Sequence, residues 1–228
     1  MKDISEGLGK TFPLSVLNRK EIELVAADAT GLQLSEGESL FHPGSPNDAL
    51  HMVIAGGIKL FRINSSNSRL ILDFFGPGEL VVEDSILKDV AHNSEARPVG
   101  EAQVVKIGFK VLQKLLESNS KFSQACLDML SSQIFGYRER LELLVFKDVE
   151  ARLAFALLNL AGKFGKKEQQ GTMISVKITH QDISDYIAAS RETVSLCLGQ
   201  FRRKRLIATE GRRLIISDLK ALRKIAAT

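Results

Sequence analysis

Thr179 and Ser190 stand eleven residues apart, and each is a hydroxyl residue placed where a helix begins, its oxygen free to accept from the amides of the first turn. Between them, Gln181 to Ile187 spans two helical turns with Ile183 and Ile187 on one side; after a three-residue turn the next helix carries Val194, Leu198 and Phe201 inward. Two short helices joined in this way make a helix-turn-helix. The second helix exposes Arg191, Glu192, Ser195 and Leu196 at its N-terminal end, the end that meets base edges in a DNA major groove. Thr179, His180 and Gln181 open the first helix, whose unpaired amides suit a phosphate. Downstream, Leu206 to Ile216 reads as a hairpin turning at Glu210-Gly211, with Arg212 and Arg213 placed to touch phosphate as a wing.

Charge supports a polyanionic partner for this end of the chain. The net charge of +4 is segregated: from Val149 onward there are 15 Lys and Arg against 7 Asp and Glu, and the preceding residues carry 16 against 20. Phosphate neutralisation supplies most non-specific nucleic-acid affinity. A scaffold must hold the pair of helices. Asp148 is placed as the N-cap of a helix starting at Val149, with Leu153, Leu157 and Leu160 along one side. Gly162 to Thr172 is a basic, glycine-containing loop, followed by a short strand over 173–178.

Ahead of this module lies a long helix predicted over 122–145. Leu127, Leu130, Ile134, Tyr137, Leu141 and Leu144 fall on it at spacings of three and four among polar neighbours, which is a heptad seam. A seam of this kind needs a partner helix, so a homodimer is expected. Gly136 weakens the helix locally by ~1 kcal/mol and permits close approach. A short helix over 111–116 precedes it. Between about residues 30 and 110, glycine signals at Gly31, Gly37, Gly44, Gly56-Gly57 and Gly76-Pro77-Gly78 punctuate apolar segments at 51–54, 58–63 and 69–75, the pattern of short antiparallel strands in a roll. A single helix over 14–27 caps the roll, with Leu14, Leu17, Leu24 and Val25 at helical spacing.

With 44% hydrophobic and 25% charged residues, the chain should fold around real cores rather than remain disordered. Its start has no apolar signal-peptide core and no run is long enough to span a bilayer, so a cytoplasmic protein is expected. Cys126 and Cys197 are expected to be reduced, buried thiols; two distant cysteines hold neither zinc nor an iron–sulfur cluster. The four histidines are scattered, which argues against a cupin-like metalloenzyme, and the chain carries no nucleophile elbow, P-loop or dinucleotide fingerprint. No metal site and no enzyme are expected.

The whole pattern from about Leu34 to Leu222 resembles the cyclic-AMP receptor protein/fumarate-nitrate regulator (Crp/Fnr) family of bacterial transcription factors. The segments that carry the resemblance are Gly37-Glu-Ser-Leu-Phe-His-Pro-Gly44, Gly56-Gly-Ile-Lys-Leu60, Phe75-Gly-Pro-Gly-Glu79, Lys147-Asp-Val-Glu-Ala-Arg-Leu-Ala154, Thr179-His-Gln-Asp-Ile183 and Ser190-Arg-Glu-Thr-Val-Ser195. It implies an α+β architecture: an N-terminal antiparallel β-roll of the cyclic-nucleotide-binding, jelly-roll-like type over 1–120, a dimerisation helix and hinge over 121–147, and a winged helix-turn-helix over 148–228. It further implies a homodimer on palindromic double-stranded DNA, with RNA polymerase as a partner.

In the family's reading helix the residue matching Arg191 takes guanine and that matching Glu192 accepts from cytosine, pairings that base-edge chemistry favours. Where the family commonly has a third reader, an arginine, this chain has Leu196, which could pack on a thymine methyl. In cyclic-AMP binders a Gly-Glu pair and an Arg-Ser/Thr pair hold ribose and phosphate; here Val82-Glu83 matches the first, and Asn93-Ser94 lies near the second with no arginine, so Arg97 would have to move in. Tyr137 and Arg138 match the positions that contact adenine. These six residues form the expected effector site, for a small molecule other than cyclic AMP. A cyclic-nucleotide regulator with a rebuilt pocket is the alternative, and a haem-based gas sensor a third reading, with His92 as the axial residue. His92 is otherwise expected as an exposed loop histidine, His42 and His51 as turn or strand residues.

Overall fold

In the computed structural model, residues 2–83, 90–211 and 213–227 are described, those at 2–4 by backbone alone. Two compact units result: Met1–Leu60 with Phe75–Tyr137, and Phe61–Phe74 with Arg138–Thr228. Neither division falls at residue 120 or 147, because the segment 61–74 joins the C-terminal unit and the long helix runs through both.

The first unit opens with α1 (Lys2–Lys10), a single 3-10 turn (Leu14–Val16) and α2 (Arg19–Asp28). One helix over 14–27 was expected. Asn18 divides it: its side chain accepts from the Glu21 amide while Glu21 reaches back to the Asn18 amide, a capping box that starts a helix afresh. The new start turns Leu24 outward, 61% exposed, while Val25 is buried.

The roll is a five-stranded sheet in the order β1 (Thr30–Leu34), β5 (Glu95–Gly108), β2 (Ala49–Ile63), β3 (Arg69–Phe75), with β4 (Leu80–Val81) also pairing β2. Thr30 to Leu34 run antiparallel to Lys106 to Ala102. The glycine pair does not end a strand, contrary to the sequence reading; β2 continues through it. Gly56 has φ +76°, and a Cβ there would lie 2.1 Å from the carbonyl oxygen of Glu101, so only glycine lets the two backbones approach. Leu8, Val25, Met52, Ile107, Leu112 and Phe122 join one apolar core between the roll and its helices. α3 (Phe109–Ser118) and α4 (Ser120–Phe146) follow, each longer at both ends than the periodicity predicts.

The second unit is built on α5 (Val149–Phe164), capped by Asp148, which accepts from the Ala151 amide at 2.8 Å. α6 (His180–Ile187), α7 (Arg191–Arg203) and α8 (Leu219–Ala227) pack on α5. The expected loop over 162–172 is instead a hairpin of β6 (Gly165–Glu168) and β7 (Gly171–Ile174). That hairpin extends the wing strands β8 (Ile207–Glu210) and β9 (Arg213–Ile216) into a four-stranded sheet, order β6-β7-β9-β8. Its exposed strand β6 alternates too little to reveal itself in the sequence, because all four residues face solvent. The strand expected over 173–178 ends at Ile174.

Candidate functional site

The helix-turn-helix forms as its caps dictate. Thr179 accepts from the Asp182 amide, and Asp182 in turn accepts from the Thr179 amide and hydroxyl, closing a capping box at the start of α6. Ser190 Oγ accepts from the Thr193 amide at 3.0 Å and starts α7. Ala188, between them, takes φ +51°. Ile183, Ile187, Val194, Leu198 and Phe201 are all buried. With that face committed to the core, Arg191, Glu192 and Leu196 are left exposed at the start of α7, Leu196 at 70%. Ser195 is half-buried; its Oγ lies 2.8 Å from Nδ1 of His180. Gln181 is exposed and donates to Asp185 Oδ1 at 2.6 Å, while Thr179 is exposed at the helix start.

Electrostatics around His180 are cationic. Burial first, then Arg202 and Arg191, hold its imidazole below the usual histidine range. Arg202, exposed like Arg191, thus acts on the same imidazole, a position the apolar-periodicity reading passed over because it marks inward residues only. In the wing, Gly211 has φ +58° and Arg213 is exposed; Arg212 lies outside the described residues. Cys197 is half-buried rather than buried, since α7 turns it partly outward, and its thiol is pushed up by burial and by Glu150 and Asp148. Cys126 is buried in the roll and raised to about 11 by desolvation, an inert thiol.

The expected effector residues fall in different settings. Val82 belongs to the apolar core and Ser94 is fully buried. Glu83 and Asn93 come together: the Asn93 amide donates to Glu83 Oε1 at 3.0 Å. His92, expected on an exposed loop, is 5% exposed. Its Nδ1 lies 2.6 Å from Glu83 Oε2, and its ring stacks on Phe41 at 3.7 Å. Backbone bonds from His92 N to Ser45 O and from Gly44 N to His92 O pin this segment, which is why a polar loop residue is drawn inside. The partner that removes it from solvent, Phe41, is 51 residues away in the chain, and no local pattern predicts that stack. Arg97 does not move in; it donates to Glu95 at 2.5 Å and to Ser39. His51 is buried in β2, as a strand residue, and His42 is exposed in a turn. Tyr137 and Arg138 lie exposed on α4. Among the described residues no group of three or more His, Cys, Asp and Glu is placed to hold a metal ion, and no helix is long and apolar enough to cross a membrane.

Along α4 the expected seam divides. Leu127, Ile134, Tyr137 and Leu141 are exposed, at 59%, 53%, 45% and 62%. Leu130 instead packs on the core of its own roll, and Leu144 is half-buried beside Phe155 and Ile187 of the second unit. A spacing of 3.5 cannot tell a neighbour in the same chain from one in another.

Comparison with known proteins agrees with these two halves. Residues 32–119 match the cyclic nucleotide-binding domain and residues 151–225 the Crp-like helix-turn-helix domain. The chain is 30% identical over 190 residues to a CRP-like cAMP-activated global transcriptional regulator of Mycobacterium tuberculosis, covering 83% of this chain and 85% of that one. It is also 30% identical over 193 residues to electron transport regulator A of Shewanella oneidensis, 85% of this chain and 77% of the other. Among solved structures, FixK2 from Bradyrhizobium japonicum superposes with a TM-score of 0.78 at 20% identity, over 88% of this chain and 98% of its own, a likeness of fold. The M. tuberculosis and S. oneidensis relatives are named as regulators, the first a transcriptional one, and not as enzymes. With its cyclic-nucleotide-binding roll, its long helix and its C-terminal helix-turn-helix, the chain belongs to the Crp/Fnr family of transcription regulators.

Proposed function

We propose that the chain acts as a homodimer on palindromic DNA, reading each half-site with Arg191, Glu192 and Leu196, and that its roll answers to a small effector other than cyclic AMP. The observation that carries the reading half is the exposure of those three residues at the capped start of α7, with Arg202 and His180 supplying phosphate contacts beside them. The exposed apolar side chains of α4, Leu127, Ile134 and Leu141 among them, support the dimer. Family membership is the ground for the remaining parts, RNA polymerase as protein partner and the cytoplasm as place of action.

The effector reading rests on the Glu83–His92 pair. A cyclic phosphate needs cationic donors free to face it, and here the pair is closed on itself while Arg97 is held by Glu95. A second reading, a cyclic-nucleotide response through a rebuilt pocket, has the name of the M. tuberculosis relative in its favour. Haem remains a third; His92 Nδ1 on a carboxylate is the second contact that an iron-bound imidazole commonly makes, and an absorption spectrum of protein supplied with haem tests it.

Selection of random DNA duplexes by the ligand-free protein tests the DNA reading: one recovered palindrome is expected, and salt-sensitive binding with no selected sequence speaks against it. Arg191→Ala is expected to abolish selectivity, and Arg213→Ala to weaken all sequences alike and lower the salt slope by about one. Equal losses in both variants sink the assignment. Leu141→Asp is expected to give a monomer in sedimentation, and a wild-type chain that sediments as a monomer removes the dimer. Calorimetry with cyclic AMP and cyclic GMP decides between the effector readings.

A further inference from the structure

The end of α6 is held by two arginines from different helices of the second unit. Arg140, on α4, donates to the carbonyl of Tyr186 at 2.7 Å and lies 4.0 Å over the Tyr186 ring. Arg152, on α5, donates to the carbonyls of Ile187 at 2.7 Å and Ala188 at 3.3 Å. These are the last carbonyls of α6, the negative end of its dipole, where cationic donors bind well. Arg140 reaches further: its guanidinium also donates to the carbonyls of Ile71 and Leu72 on β3. Phe74 packs edge-on to Tyr186 at 5.1 Å, and Lys163 of α5 lies 3.8 Å from Asp73, so the next two residues of the same strand are fastened to the second unit as well.

One planar group therefore ties α4, β3 and α6 together. Its acceptors are backbone carbonyls, so the paths of β3 and α6, and not the identities of their side chains, set the contact. The αL residue Ala188 follows directly, and α7 starts three residues after it. α6 and α7 are in contact and Ile183, Val194 and Leu198 are buried, so a displacement of the end of α6 would be carried to α7 across this short turn.

We propose that Arg140 is the positioning residue that fixes the helix-turn-helix on the axis of α4, so that two copies joined along α4 present their reading helices in register for two half-sites. The inference rests on the dimeric reading and adds to it the residue that sets the geometry. Arg140 is assigned no contact with DNA.

The test compares full chains on the selected palindrome and on a duplex carrying one half-site. Arg140→Ala is expected to lose about tenfold or more on the palindrome, as charged hydrogen bonds of this kind warrant, with half-site affinity and the salt slope unchanged. Arg140→Lys keeps the charge but cannot span three carbonyls; it is expected to lose less in the same pattern, and it decides the question should the alanine variant not fold. Equal losses on both duplexes mean that Arg140 only keeps the helix-turn-helix folded and overturn the proposal, as does a lower salt slope or no loss at all. A wild-type chain with no preference for palindrome over half-site overturns the dimeric reading and this inference with it; a wild type with that preference beside an unchanged variant overturns this inference alone.

Discussion

The Nδ1 of His180 lies 2.8 Å from the Oγ of Ser195, so the first residue of α6 holds the fifth residue of the reading helix. Ser195 is thereby tied to the start of α6 and half-buried, while Arg191 and Glu192 stay exposed. His180 is held below the usual histidine range by burial, Arg202 and Arg191, and is neutral at pH 7. A phosphate oxygen brought beside it favours the charged form. Binding then takes up a proton, and DNA affinity is expected to rise as pH falls below the usual histidine range, by at most about tenfold per pH unit for one site. Anisotropy titrations of wild type and His180→Gln check it. Parallel curves for the two proteins exclude a phosphate role for His180.

Leu196, 70% exposed on α7, offers no donor to guanine. Leu196→Arg is expected to move one position of each selected half-site to guanine, with about 1–3 kcal/mol of discrimination at that base and none elsewhere. Repeated selection with the variant reads this directly; an unchanged half-site shows that Leu196 does not reach a base.

His51 titrates at about 4 rather than 6.5, chiefly through burial, with Lys106 and His92 adding to the shift and Asp48 opposing it. Its folded-state value is depressed, so the unfolded chain binds the proton first. The sign follows: stability is retained above about pH 6.5 and is lost as pH falls toward 4, by about 3 kcal/mol at the end of that range. Thermal unfolding of His51→Gln across this range is expected to show a shallower fall than wild type. Equal slopes assign the acid sensitivity of the roll to other groups.

The elements that rest on short-range chemistry were legible in the sequence. Thr179, Asp148 and Ser190 carry their caps within three residues, and Ile183, Val194 and Leu198 follow the helical period, so the helix-turn-helix and its solvent face could be read off directly. What depended on distant partners could not. Gly56 looked like punctuation because its neighbour, Glu101, lies 45 residues away. His92 looked exposed because Phe41 and Glu83 decide its burial. Leu130 and Leu144 share the seam's spacing with Leu141, yet pack within their own chain. Arg140 read as one more polar residue of a solvated helix face, since nothing local marks a guanidinium whose acceptors are backbone carbonyls of Ile71, Leu72 and Tyr186. The surroundings of Glu83 and His92 are the part least visible, because contacts distant in the chain decide them.

The open apolar stripe of α4 has a quantitative consequence under the dimeric reading. Where chains are scarce relative to their self-association constant, the population able to span both half-sites grows as the square of the chain concentration. Doubling synthesis then raises operator occupancy about fourfold before saturation. Promoters under such control respond to the amount of regulator as through a soft threshold, and the concentration at which it lies is set by Leu127, Ile134 and Leu141 rather than by any residue that touches DNA.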